Sequence, residues 1–114
     1  MTRSIAILLE DMAESASQLE KYTTDMTFEN FSNDRLVQDA VMRRIEILGE
    51  AAKGIPDGFR ASHTDVPWRD IAGARDILIH QYFHVDLELA WDMVKNDVPK
   101  LLSQINQILS ELDG

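Results

Sequence analysis

The chain has 114 residues and a formal net charge of −9, with 20 Asp and Glu against 11 Lys and Arg. That is the length of one domain, its 45% apolar and 27% charged content is that of a soluble globular fold, and no apolar run approaches the roughly 18 residues of a membrane span. Cysteine is absent, which excludes a disulfide framework, a thiolate nucleophile and Cys-ligated zinc, and suits a reducing cytoplasm.

Met1 to Glu10 has a short apolar patch without a cleavage site and does not read as a signal peptide. Ile5, Leu8, Leu9, Met12, Ala16 and Leu19 recur at steps of three and four, which predicts a helix over about 3–22. Residues 23–33 are turn-prone, and Ser32, Asn33 or Asp34 can each cap the next helix. That helix is predicted over 34–53. Val37, Val41, Ile45, Leu48 and Ala52 form one stripe, with Leu36, Ala40, Ile47 and Ala51 beside it, so a wide face should be buried. Gly54 and Pro56 stop it, and 55–65 reads as loop. Pro67 suits a first helical turn, with Thr64 or Asp65 as cap. Gly73 marks an expected bend before a helix over about 74–84. Asp86 caps the last helix, where Leu87, Trp91, Val94, Val98, Leu101, Ile105, Ile108 and Leu112 form a seam of period 3.5. Pro99 lies inside it, where a kink or a break is expected. Nothing reads as a strand. The fold class is all-α: a single domain, 1–114, built as an antiparallel helical bundle of four main helices plus a short one.

Charge is unevenly spread. Residues 1–40 and 81–114 are strongly acidic, whereas 41–80 balance six basic against six acidic side chains. Arg43, Arg44, Lys53, Arg60, Arg69 and Arg75 all fall there, so any contact with a polyanion should be local and centred on the middle third.

The segment Arg75-Asp76-Ile77-Leu78-Ile79-His80-Gln81-Tyr82 carries the possible chemistry. On a continuous helix Asp76 and His80 share a face, and a carboxylate there orients an imidazole and leaves its other nitrogen free. The same spacing also occurs as an ordinary helix-stabilising pair. Arg75 and His80 sit roughly 140° apart on a straight helix. Bringing both to one point needs a wrapped arginine stem, a helix distorted near His80, or groups from two chains. Asp76, His80 and His84 also step by four, but offer at most three ligands from one helix, and no HExxH is present, so no metal site and no cofactor are expected. Gly49 reads as a close helix contact, and Glu46 with Glu50 as a solvated carboxylate pair.

Arg75-x-x-x-x-His80-x-Tyr82 resembles the signature of the HepT toxins, a branch of the HEPN helical domains. Ile47-Leu48-Gly49-Glu50-Ala51-Ala52 resembles that family's second helix. Val66 to Arg75 resembles its lead into the motif, and Tyr82-Phe83-His84-Val85-Asp86 followed by Trp91 its exit. The likeness covers roughly residues 35–105, with the first helix matching in length and pattern. The resemblance implies a homodimeric, metal-independent endoribonuclease acting as the toxin of a type II/VII-like toxin–antitoxin pair. It implies attack of the RNA 2′-OH on the adjacent phosphate, with Arg75 and His80 catalytic and Asp76 in support. Arg43, Arg44 and Arg69 are the candidate RNA-phosphate contacts. It further implies an MntA-like nucleotidyltransferase antitoxin that attaches AMP to Tyr82. The competing reading is a non-catalytic substrate- or nucleotide-binding subunit of a two-component minimal nucleotidyltransferase, which the acidic surface would suit.

Overall fold

The computed structural model describes residues 4–79 and 85–113. Helix α1 spans Ile5–Tyr22, with the Ser4 hydroxyl accepting from the Ile7 amide at 3.2 Å. A five-residue helix α2, Phe28–Ser32, occupies the stretch expected as turn, held by a reciprocal capping box between Thr27 and Asn30. Of the three candidate caps for α3, Arg35–Lys53, Asp34 does the work, accepting from the Val37 amide at 3.1 Å. A second short helix, α4, Asp57–Ala61, lies in the expected loop.

Helix α5 runs Trp68–Leu78. Pro67 sits one residue before it, and neither Thr64 nor Asp65 supplies a side-chain cap. The helix passes through Gly73 without the expected bend, and it ends at Leu78 rather than near 84. Trp68, Ile71, Ala74 and Leu78 form one buried stripe across that glycine, and burying four side chains outweighs the ~1 kcal/mol that glycine costs a helix. At the C-terminal end the Leu78 carbonyl, one of the four that a helix leaves unpaired, accepts from the Asp86 amide at 2.7 Å.

The last element starts at α6, Leu87–Asp92, which the Asp86 carboxylate caps through the Leu89 amide. It continues through a π-helical turn, Met93–Asp97, into α7, Val98–Asp113. This turn replaces the kink or break expected at Pro99. Pro99 has no amide to offer Lys95 and its ring crowds that carbonyl. The wider turn, closed by the Val98 amide on the Met93 carbonyl, carries the chain past. Its extra residue also rotates the register upstream. Ala90, not Trp91, is buried, and Trp91 lies half-buried against Phe28 and Phe31, with ring centroids at 6.3 and 5.3 Å.

The four main helices are α1, α3, α5 and the composite α6–α7, packed as a bundle: α1 against α3 and α7, and α3 against α5. Leu9, Met12, Leu19, Val41, Ile45, Leu78, Val94 and Ile105 lie at its centre, none of them more than 1% exposed. The second α3 stripe is less buried than its pattern implied: Ala51 is inside, but Leu36 is 80% exposed. Among the described residues there is no strand, only an isolated antiparallel bridge between Ile79 and Val85, and no helix is long and apolar enough to cross a membrane.

Gly49 confirms the close contact read from the sequence. A Cβ there would stand 3.1 Å from the Ile71 carbonyl oxygen and 3.3 Å from that of Ala72. Both are backbone atoms of α5, which cannot swing aside. Gly49→Ala is expected to lower stability by up to about 2 kcal/mol, because overpacking costs of about 1–3 kcal/mol offset and exceed the gain of about 1 kcal/mol in helix propensity. The check is a lower urea midpoint at unchanged slope.

Candidate active site

Gly49 sets the separation of α3 and α5, and the site candidate lies along that seam. Arg75, in the last turn of α5, reaches across to α3. Its Nε donates to Glu46 Oε2 at 3.1 Å, and its Nη1 is 3.9 Å from Asp76 Oδ1. The other Glu46 oxygen accepts from Arg43 Nη1 at 3.0 Å. One carboxylate therefore joins two guanidinium groups, both partly open to solvent.

Arg75 divides two depressions. On one side a groove of about 670 Å³ runs between the first half of α3 and the end of α5, lined by Arg35, Arg43, Glu46, Arg75, Ile79 and Val85 among others. On the other a smaller cleft of about 220 Å³ is lined by Gly49, Glu50, Lys53 and Asp76. Ile79 is extended (φ −98°, ψ 115°) and pairs with Val85, and the Asp86 amide meets the Leu78 carbonyl one residue further out. Ile79 and Val85, the described residues on either side of 80–84, both line the groove.

His80 and Tyr82 lie outside the described residues. The expectation that Asp76 and His80 share a helix face falls on His80 and so lies outside the described residues, within which α5 ends at Leu78. Among the described residues the carboxylate of Asp76 is instead beside Arg75. The end of α5 also removes the straight-helix constraint that separated Arg75 from His80 by roughly 140°.

The three arginines proposed as phosphate contacts are not together. Arg43 stands with Arg75 across Glu46. Arg44, about 100° further round α3, donates through Nε to the Tyr22 hydroxyl at 3.3 Å, on the α1 side. Arg69 is exposed in the first turn of α5 and lines neither depression. Arg35 was not singled out from the sequence, and Glu46 was read there only as half of a solvated carboxylate pair. Arg35, Asp39, Arg43 and Glu46 step by four, four and three, a charged stripe at helical spacing. It was legible as a face, but nothing in the spacing tied it to Arg75, 29 residues beyond Glu46.

Comparison with known proteins places this geometry in a family. The model of the ribonuclease HepT-like family matches residues 12–108. A "Gamma-glutamylcyclotransferase and putative RNase" of Methanocaldococcus jannaschii is 47% identical over 113 residues, 99% of this chain. The chain spans 51% of the length of that relative. A "Probable ribonuclease HepT" of Thermococcus cleftensis is 44% identical over 108 residues, covering 95% of this chain and 98% of its own. A "Putative RNase" of Caldanaerobacter subterraneus is 38% identical over 103 residues, covering 90% of this chain and 92% of its own. No solved structure matches. With the family model over most of its length and full-length relatives on either side of 40% identity, the chain belongs to the ribonuclease HepT-like family.

Proposed function

We propose that the chain is a metal-independent endoribonuclease, the toxin of a toxin–antitoxin pair. The observation that carries this reading is Arg75. It is a half-exposed guanidinium on a groove wall, held by a carboxylate from a second helix, and Ile79 and Val85, which flank residues 80–84, line the same groove. In the proposed reaction the 2′-OH of RNA attacks the adjacent phosphate. His80 takes the hydroxyl proton and returns a proton to the departing 5′-oxygen, while Arg75 and Arg43 balance the charge that builds on the phosphorane oxygens. Asp76, beside Arg75, supports that charge arrangement. The products are a 2′,3′-cyclic phosphate and a 5′-hydroxyl end. The test is incubation of the pure protein with single-stranded RNA in excess EDTA. Cleavage that persists with chelator and disappears in His80→Ala is expected. A folded, unmodified protein that cuts no RNA contradicts the proposal.

The chain works as a homodimer in this account, two copies facing one phosphodiester. Leu36 on α3 and Ile77 on α5, the two helices that carry the groove, are 80% and 50% exposed, large apolar groups of the kind that a second copy covers. Light scattering at micromolar concentration should return twice the chain mass. An active monomer would contradict it.

The antitoxin in this reading is a small nucleotidyltransferase that transfers AMP to the Tyr82 hydroxyl. The bulky, anionic group on Tyr82 would then pair with Arg75 or Arg43 and exclude RNA. Coexpression with such an enzyme should add the mass of one AMP less water. Tyr82→Phe should abolish the addition, and AMP found on another residue would overturn the assignment.

A further inference from the structure

We propose that Glu46 is a positioning residue for Arg75, selecting which edge of its guanidinium meets the substrate phosphate. A guanidinium can grip a phosphate side-on, through Nε and one terminal nitrogen, or end-on, through both terminal nitrogens. In this chain the side-on edge is occupied, because Nε donates to Glu46 Oε2 at 3.1 Å. What remains for an incoming phosphate is the terminal pair; among the described residues Asp76 lies near Nη1, at 3.9 Å. The second oxygen of Glu46 holds Arg43 at 3.0 Å, so one carboxylate fixes two of the groove's arginines, Arg43 and Arg75, in an alternating row of charges. The contact is also long-range, joining residues 29 apart on two different helices. It is therefore not one of the adjacent-turn pairs, such as Arg35 with Asp39, that decorate the surface of one helix.

Two consequences differ in sign. Glu46 orients Arg75, so removing it should slow the chemical step. It also places a negative charge beside a phosphate site, so removing it should tighten RNA binding. A residue that only braced α3 against α5 would not split the two parameters in this way.

The inference rests on the ribonuclease reading, and the experiment separates the two. Steady-state cleavage of RNA in EDTA is measured for wild type, Glu46→Ala, Glu46→Gln and Arg75→Lys, and for Glu46→Ala in the Arg75→Lys background. Glu46→Ala should lower kcat by about 10- to 100-fold, the cost of a misplaced catalytic group, with KM unchanged or reduced. Glu46→Gln, which keeps the shape and one acceptor oxygen, should recover most of that kcat while KM stays low. In the Arg75→Lys background Glu46→Ala should change kcat by less than about twofold, because lysine has no Nε–H edge to hold and the two residues act as one unit. The Arg75 Nε–H signal in nitrogen-15-labelled protein should exchange slowly with solvent in wild type and quickly in Glu46→Ala, whatever the activity. Equal kcat with and without Glu46, an undiminished effect in the Arg75→Lys background, or an Nε–H signal indifferent to Glu46 overturns the proposal. A wild-type chain that cuts no RNA, yet whose Nε–H is held by Glu46, refutes the ribonuclease reading and leaves the positioning role standing.

Discussion

Arg75→Ala is expected to reduce RNA cleavage by about 10²- to 10³-fold in kcat, the usual cost of losing one preorganised donor to a developing oxyanion. The reasoning is electrostatic. Charge on the phosphoryl oxygens rises on the way to the phosphorane, and a guanidinium already fixed at the groove wall meets that charge without reorganising. The side chain is 43% exposed and its partners are polar, so its loss opens no cavity and leaves no buried group unpaired. Stability should therefore move by no more than about 0.5 kcal/mol, as for surface substitutions elsewhere. Measured together, single-turnover cleavage and urea unfolding distinguish this from a folding defect. A variant with wild-type stability and wild-type kcat would remove Arg75 from the chemistry.

Leu78→Ala should have the largest effect on stability of any single change near the site. Leu78 is the last residue of α5 and is 0% exposed. Truncating a fully buried leucine typically costs about 2–5 kcal/mol in lost transfer energy and residual cavity, a large share of the roughly 5–15 kcal/mol that holds a domain together. The effect should also be local. The Leu78 carbonyl takes the Asp86 amide at 2.7 Å, and the neighbouring Ile79–Val85 bridge closes the base of the segment carrying His80 and Tyr82. Faster hydrogen exchange at the Asp86 amide should accompany the lower urea midpoint. A loss below about 1 kcal/mol, well under the range for such truncations, would mean that the end of α5 is not the anchor described.

The main helices were legible because their signals are local and repeated. Five of the six apolar residues on the α1 stripe are buried, Asp34 and Asp86 cap as their positions suggested, and Gly49 meets a neighbouring backbone. The departures all arise where tertiary context overrides a local rule. A glycine inside α5 looked like a bend, but the buried stripe on either side holds the helix straight. A proline in the last helix looked like a break, but one wide turn absorbs it and moves Ala90 into the place that the seam assigned to Trp91. Leu36 fitted a buried stripe by spacing, yet among the described residues it is 80% exposed. At the candidate site, Arg75 and Arg43 were already singled out in the sequence and stand on the same groove, whereas Glu46 was read as solvated. Its importance lies in a contact between α3 and α5, which periodicity within one helix does not report.

The chemistry itself is most directly tested by the ends of the RNA fragments. A synthetic oligoribonucleotide and its counterpart with 2′-deoxy sugars are incubated with the protein in excess EDTA, and the products are resolved by mass. Attack by the 2′-OH predicts 2′,3′-cyclic phosphate and 5′-hydroxyl ends from the RNA and no cleavage of the deoxy strand. Fragments ending in 3′-hydroxyl and 5′-phosphate, or cutting of the deoxy strand, would contradict it.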